Sequence, residues 1–375
     1  HWGYLCCHRK RGGIMAKKET VFLKPLFKYP GGKSSEYKHL RELFPKFNTY
    51  VEPFLGGGAV YWAIDAENWI INDFSQELIS IYKYTKTQDE LFLTYLKDIG
   101  ILWRDKENYI KIIMSLLLNR EETSGDILFN ISCKLLDSAN KLPKHYHQLS
   151  DYFSESVLRK RKSLAKIAKK EEIKNWEENA LSILGAGIYM YLRNLYNQTN
   201  FDKRPQLKSV LYLFIREYAY SSMFRYNSEG LFNVPFGGNS YAKKDFLQRY
   251  NQITNSEVVD KLKKTTVLQG DFSDAFIDQQ DAFMFLDPPY DSDFSTYNLH
   301  EFDSQEQIRL RDELSKIKKT KWLMVVKSTD FIEELYERTG WYKFRFNKSY
   351  SVNFKNRNEQ DVKHLVITNY RLEDI

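Results

Sequence analysis

Short apolar runs and longer stretches of helical spacing alternate along most of the chain. The runs within NTYVEPF (48–54), WIIND (69–73), TTVLQGD (265–271), AFMFLD (282–287) and WLMVVK (322–327) have the length and side-chain content of buried strands, and several lead straight into an acid. Between them the pattern predicts a short helix from Glu36 to Phe44 that Pro45 closes. From about Leu78 to Tyr220 it is helical throughout, rich in Leu, Ile, Lys and Glu and poor in glycine, and residues 156–184 read as a charged helical stretch. The segment YSSMFRYNSEGLFNVPFGGNS (220–240) differs in kind, being aromatic and rich in Asn and Gly, and reads as an ordered loop or hairpin. YKFRFNKSYSVNF (342–354) and KHLVITNY (363–370) read as a closing antiparallel pair. Strands alternating with helices predict an α/β fold, a mostly parallel sheet between two helical layers.

Composition narrows the class. The chain has 375 residues, enough for one large domain or one domain carrying a second module. With 42% apolar and 28% charged residues it falls outside the disordered, collagen-like and membrane classes. Its net charge of +7 suits a polyanionic partner if the charge is clustered. Residues 1–14 read as vector or upstream leader before Met15, and they hold Arg9, Lys10 and Arg11 with no acid. No apolar run reaches the ~20 residues of a membrane span and no secretory signal is visible, so a cytoplasmic location is expected, with no membrane partner. Two of the three Cys, Cys6 and Cys7, lie in the leader, and the seven His show no ligand spacing; His145 and His147 flank Tyr146 in an expected loop. No metal is expected. The basic run Arg159–Lys162 with Lys166, Lys169 and Lys170 fits either phosphate contacts or a solvated helix face.

Three loops carry candidate chemistry. Gly56, Gly57 and Gly58 follow a strand and open a helix, where glycine lets backbone approach a ligand. Asp73 ends the next strand, near the offset at which a carboxylate binds ribose hydroxyls of a nucleoside cofactor. The third loop is DPPY, Asp287–Tyr290, after the apolar strand AFMFL. Its prolines fix the backbone, the Asp287 carboxylate and the Pro288 carbonyl can accept two amine hydrogens, and Tyr290 can stack on a planar base. KYPGGKSS (28–35) copies the end of a phosphate-binding P-loop but fails it, because Phe27 stands where the first glycine is required.

KYPGGK, EPFLGGG, RYNSEGLFNVPFGG and DPPY, in this order, resemble the Dam-type DNA adenine methyltransferases. The resemblance covers roughly residues 22–74 and 180–370. It implies a Rossmann-like S-adenosylmethionine-dependent methyltransferase fold with a helical insertion and a target-recognition region. Residues 15–90 and 265–375 would then be catalytic, and 91–264 would hold the insertion, about 91–179, and the recognition region. It also implies S-adenosylmethionine as cofactor, held by Tyr29, Lys33, Phe54, Gly56, Asp73, Asp271, Phe272 and Asp287. Asp73 would take the ribose hydroxyls, and Asp271 and Phe272 the cofactor adenine. Tyr29 stands where the family often has Trp. Asp287, Pro288 and Tyr290 would hold a flipped adenine for methylation at its 6-amino group.

Duplex DNA is the implied partner, contacted by Arg225, Tyr226, Asn227 and Glu229, with a cognate restriction endonuclease as an admissible further one. In Dam-type enzymes that methylate GATC, the position two after the Asn of RYN is commonly Arg, which can read guanine; here it is Glu229, which offers acceptors only. A site other than GATC, or a GATC read without this position, is therefore expected. Two other readings stay open at this point: a catalytically silent DNA-binding subunit of a restriction complex, and a methyltransferase acting on RNA. Asp rather than Asn at the first DPPY position argues against a protein glutamine as substrate.

Overall fold

The computed structural model describes residues 23–27, 37–118, 125–289, 302–347 and 363–374. Seven strands form one sheet: β1 Thr49–Glu52, β2 Asn68–Asp73, β3 Thr265–Gln269, β4 Ala282–Leu286, β5 Lys321–Lys327, β6 Tyr342–Asn347 and β7 Lys363–Thr368, in the order β3-β2-β1-β4-β5-β7-β6. The first five are parallel, and β7 runs antiparallel to both of its neighbours. The fold is thus the mostly parallel α/β architecture of the S-adenosylmethionine-dependent methyltransferases.

The apolar runs follow from two-sided burial, since a parallel sheet is covered on both faces. Alternate residues of each strand enter different cores. Tyr50, Ile71, Phe283, Phe285, Leu323 and Val325 face one, and Val51, Met284, Leu286, Trp322, Met324 and Val326 face the other. The second core is closed by Leu310 and Leu314 of the helix Ser304–Lys316 and by Ile332 of the helix Asp330–Leu335. The first runs without a break into the helical region, through Trp103, Leu184, Tyr189 and Tyr218.

In chain order the helices are α1 Tyr37–Leu40, α2 Ala59–Ala63, α3 Gln76–Thr87, α4 Glu90–Asp105, α5 Ile110–Leu118, α6 Gly125–Ser138, α7 Tyr146–Ile167, α8 Trp176–Gln198, α9 Pro205–Tyr218, α10 Asn239–Ala242, α11 Leu247–Ile253, α12 Ser256–Lys263, α13 Ser304–Lys316 and α14 Asp330–Leu335. Two expectations are corrected here. The charged stretch 156–184 is not continuous, because α7 stops at Ile167 and α8 starts at Trp176. After Leu164 the apolar stripe gives out, Lys169, Lys170, Glu171 and Glu172 are all exposed, and a helix without a buried face has little to hold it. The expected loop around His145 and His147 is instead the first turn of α7, where the His147 ring stacks on Phe129 at 4.5 Å.

Helix α8 is the axis of the helical region, with α5, α7, α9 and α10 packed around it. It packs tightly on α7 at Gly187, where an added Cβ would overlap the Phe153 ring. Phe153 and Gly187 are both buried, so the ring has no room to yield. Gly187→Ala is expected to destabilise the protein by about 1–3 kcal/mol, as overpacking of a closed core does. The midpoint of urea unfolding measures it, and an unchanged midpoint would show that the two helices can move apart.

Candidate active site at the carboxyl edge of the sheet

The strand register places the ends of β1, β2, β3 and β4 along one edge. Glu52 pairs with Ile71, Asp73 with Gln269, and Val51 with Met284. The strand order reverses between β1 and β4, and open α/β sheets bind ligands in the crevice at such a reversal. The glycine loop leaves β1 on one side of it and Asp287-Pro288 leaves β4 on the other. Phe54, Gly56, Asp73, Asp271, Phe272, Asp287 and Pro288 therefore all lie on this edge. Tyr29, Lys33 and Tyr290 lie outside the described residues.

Asp73 is half-buried and already holds the glycine loop. Its Oδ2 accepts from the Gly56 amide at 2.8 Å and its Oδ1 from the Ser75 amide at 2.9 Å, where α3 begins. An ionised carboxylate has about four acceptor positions, so acceptor capacity for a further hydroxyl donor is left. Burial raises the Asp73 carboxyl above its ordinary value, against those amides and the charge of Arg216. Gly58 ends the loop at φ +65°, a left-handed conformation that suits glycine, and a Cβ there would stand 2.7 Å from the Tyr82 hydroxyl.

Asn72 has no counterpart among the sequence candidates. Its side chain is 1% exposed, and Nδ2 donates toward the carbonyls of Pro53 at 3.1 Å, Gly270 at 3.2 Å and Asp271 at 3.3 Å. One buried carboxamide thus ties together the loops after β1 and β3. Only its place beside Asp73 in an apolar strand could have marked it.

After β3, Asp271 accepts from Arg309 Nη1 at 3.0 Å and Nη2 at 2.6 Å, and from the Ser273 amide and hydroxyl. Chiefly through Arg309, its carboxyl is held down at about 2. The same guanidinium lies 4.2 Å over the Phe272 ring. Phe272 stacks on Phe54 at 5.3 Å, and Phe302 meets both rings edge-on. Arg309 and Phe302 were not read from the sequence, because α13 reaches this loop only in the folded chain.

The residues expected to contact DNA form a separate element. The segment 219–236 is a hairpin with isolated antiparallel bridges at Ala219–Phe236 and Tyr226–Phe232. Asn227 builds its turn, its Oδ1 accepting from the amides of Glu229 at 3.0 Å and Leu231 at 2.9 Å. The Tyr226 hydroxyl is 2.9 Å from that of Tyr196, and its ring packs on Phe224 and Phe232. Arg225 and Glu229 are exposed. Arg216 links hairpin and edge: its guanidinium lies 3.7 Å over the Phe224 ring and its charge is felt at Asp73. In the basic run, Arg161 donates to the Leu116 carbonyl, while Arg159, Lys162, Lys166, Lys169 and Lys170 are exposed. Among the described residues no His, Cys, Asp and Glu cluster could hold a metal ion, and no helix is long and apolar enough to cross a membrane.

Glu52, at the end of β1, is 3% exposed and accepts a 2.8 Å hydrogen bond from the Tyr50 hydroxyl. Burial pushes its carboxyl up to about 8, the Tyr50 bond opposes this, and the charge of Asp287 adds to it. Between the ordinary value of 4.5 and about 8, folded Glu52 keeps a proton that the unfolded chain has lost. Its contribution is fully present below the lower value and is lost as pH rises through the upper. Glu52→Gln should flatten this decline, so that its stability relative to the wild type improves from about pH 5 to about pH 8.5. Urea unfolding at several pH values measures this, and parallel curves would contradict a protonated Glu52.

Comparison with known proteins gives a consistent result. Over 356 residues the chain is 26% identical to "Type II methyltransferase M.CviBI" of Paramecium bursaria Chlorella virus NC1A, covering 93% of this chain and 100% of that protein. It is 22% identical to "Type II methyltransferase M1.LlaDCHI" of Lactococcus lactis subsp. cremoris, covering 95% of this chain and 99% of that one. With the "DNA adenine methylase" of Vibrio cholerae it shares 23% identity, over 92% of this chain and 95% of the relative. Residues 29–349 match the profile of the D12 class N6 adenine-specific DNA methyltransferases, a span that takes in the glycine loop, Asp73, the hairpin and Asp287-Pro288, and the chain belongs to that family.

Proposed function

We propose that the protein is a site-specific DNA adenine methyltransferase that carries a methyl group from S-adenosylmethionine to the 6-amino group of an adenine flipped out of duplex DNA. The observation that carries this reading is the meeting of Asp73, the glycine loop and Asp287-Pro288 at the sheet's reversal point, in a chain of this family. Residues 15–90 and 265–375 form the catalytic part, and 91–264 the helical insertion and recognition region. The type II names of two relatives support a place in a restriction–modification pair.

The residues present fit the cofactor. Asp73 retains acceptor capacity for the ribose hydroxyls beside the half-buried Gly56 of the glycine loop. Asp271, its carboxylate already taken up by Arg309 and Ser273, and the Phe54 and Phe272 rings line the place where this reading puts the cofactor adenine. Tyr29 and Lys33 complete the set in this reading. When bound, S-adenosylmethionine supplies a methyl on a sulfonium whose departure leaves a neutral thioether. Asp287 and the Pro288 carbonyl accept the two hydrogens of the target amine, drawing its lone pair out of the ring toward the methyl, and Tyr290 stacks on the base. Extrusion of the base costs a few kcal/mol. Arg225 and Glu229 are free of the turn-building role of Asn227, which supports them as the hairpin's DNA contacts.

A filter assay with radiolabelled cofactor on duplex DNA, RNA and protein extract tests the reading, with label expected on DNA. Asp73→Ala should weaken micromolar cofactor binding, about −8 kcal/mol, by tenfold or more, and a chelator should leave it unchanged. Asp287→Ala should lower methylation more than about a hundredfold while DNA affinity stays within a few-fold, because phosphate contacts supply most of that affinity. Tyr290→Phe should keep substantial activity and Tyr290→Ala should lose most of it; equal losses would count against stacking. Single-molecule sequencing of modified DNA should show a motif other than GATC, or a GATC motif that Glu229→Ala changes neither in rate nor in sequence. A GATC motif that depends on Glu229 as the reader of its first guanine would refute the argument from its acceptor-only carboxylate.

A further inference from the structure

The hairpin 219–236 has few cross-strand bonds of its own, and an isolated two-stranded hairpin is at best marginally stable in water. Its second arm is held instead by helix α8. Tyr189, Arg193, Tyr196 and Asn197 lie on one face of α8, at i, i+4, i+7 and i+8. Asn197 grips the backbone of Phe232 from both sides: its Nδ2 donates to the Phe232 carbonyl at 3.0 Å and its Oδ1 accepts from the Phe232 amide at 2.9 Å. The Val234 carbonyl accepts from the Tyr189 hydroxyl at 2.8 Å and from Arg193 Nη1 at 3.1 Å. The first arm follows at one remove, because the Asn233 amide donates to the Arg225 carbonyl at 3.2 Å and the Arg225 side chain donates to Asn233 Oδ1 at 3.3 Å. On its far side α8 is backed by α7, through the close approach of Phe153 to Gly187.

We infer that this face of α8, with Asn197 at its centre, is the positioning element for target recognition: it sets where Arg225 and Glu229 stand relative to the flipped base, and so sets the fidelity of methylation. The inference rests on the proposed function and adds to it the residues that orient the reader without touching DNA. It also gives the helical insertion a role, that of bracing α8. Phe232 and Val234 are buried, so losing their partners leaves polar backbone unpaired unless the arm shifts, and a shifted arm carries Arg225 with it.

The test compares methylation rates on oligonucleotide duplexes carrying the wild-type site and its single-base-pair variants, alongside calorimetry with S-adenosylhomocysteine. Asn197→Ala should lose about tenfold of the wild-type discrimination at one or more base pairs, since one base contact discriminates by about 1–3 kcal/mol. S-adenosylhomocysteine affinity should stay within about twofold. Tyr189→Phe and Arg193→Met, each removing one donor to Val234, should show the same effect about two- to fivefold in size, and they keep the test decisive if Asn197→Ala does not fold. A merely structural role would lower rates on correct and altered sites in equal proportion, and unchanged ratios in these variants would overturn the inference alone. A wild type inactive on every DNA would overturn the functional reading and this inference with it.

Discussion

Two neighbouring side chains at the end of β2 hold the site together. Because successive residues of a strand face opposite ways, Asn72 and Asp73 divide the work. Asn72 turns into the protein and gathers the carbonyls after β1 and β3, while Asp73 binds the amides of Gly56 and Ser75. Burying a polar group is costly unless it is hydrogen-bonded, so each bond that Asn72 Nδ2 and Asp73 make also fixes a loop. The glycine loop, the start of α3 and the Asp271 turn thereby share one frame. A rigid frame of this kind is what positioning catalysis needs, since the chemistry asks for geometry more than for a reactive side chain.

The same economy appears further out. Arg309 clamps Asp271 and covers Phe272, so α13 is tied to the loop after β3. Arg216 lies over the Phe224 ring of the hairpin with its charge felt at Asp73, and α8 fastens the hairpin by its backbone. The carboxyl edge of the sheet and the hairpin are therefore joined through the interior, in keeping with a core that runs from the sheet into the helices without interruption.

What was legible in the sequence was whatever is local along the chain. The strands β1 to β5 were visible as apolar runs, the closing pair β6 and β7 as a pattern, and the loop acids because each follows a run directly. Asn72 was hidden because its three partners are fixed only when β1, β2 and β3 align, with Gly270 lying 198 residues away. Arg309 and Asn197 were hidden for the same reason, as ordinary polar residues of helices whose partners come from other elements. The break between α7 and α8 is not visible locally, because apolar residues continue at roughly helical spacing while the buried face that would hold the helix ends at Leu164. Tyr226 and Asn227 illustrate the opposite case: the sequence marked them, and the fold spends both on building the hairpin.

In the proposed function Asp287 and the Pro288 carbonyl on this edge hold an adenine amine for methylation. Mass spectrometry of nucleosides from DNA incubated with the purified protein and S-adenosylmethionine tests it most directly. N6-methyladenine is expected as the methylated nucleoside, reduced more than about a hundredfold in Asp287→Ala; methylated cytosine in its place, or N6-methyladenine undiminished in Asp287→Ala, would refute this role of Asp287.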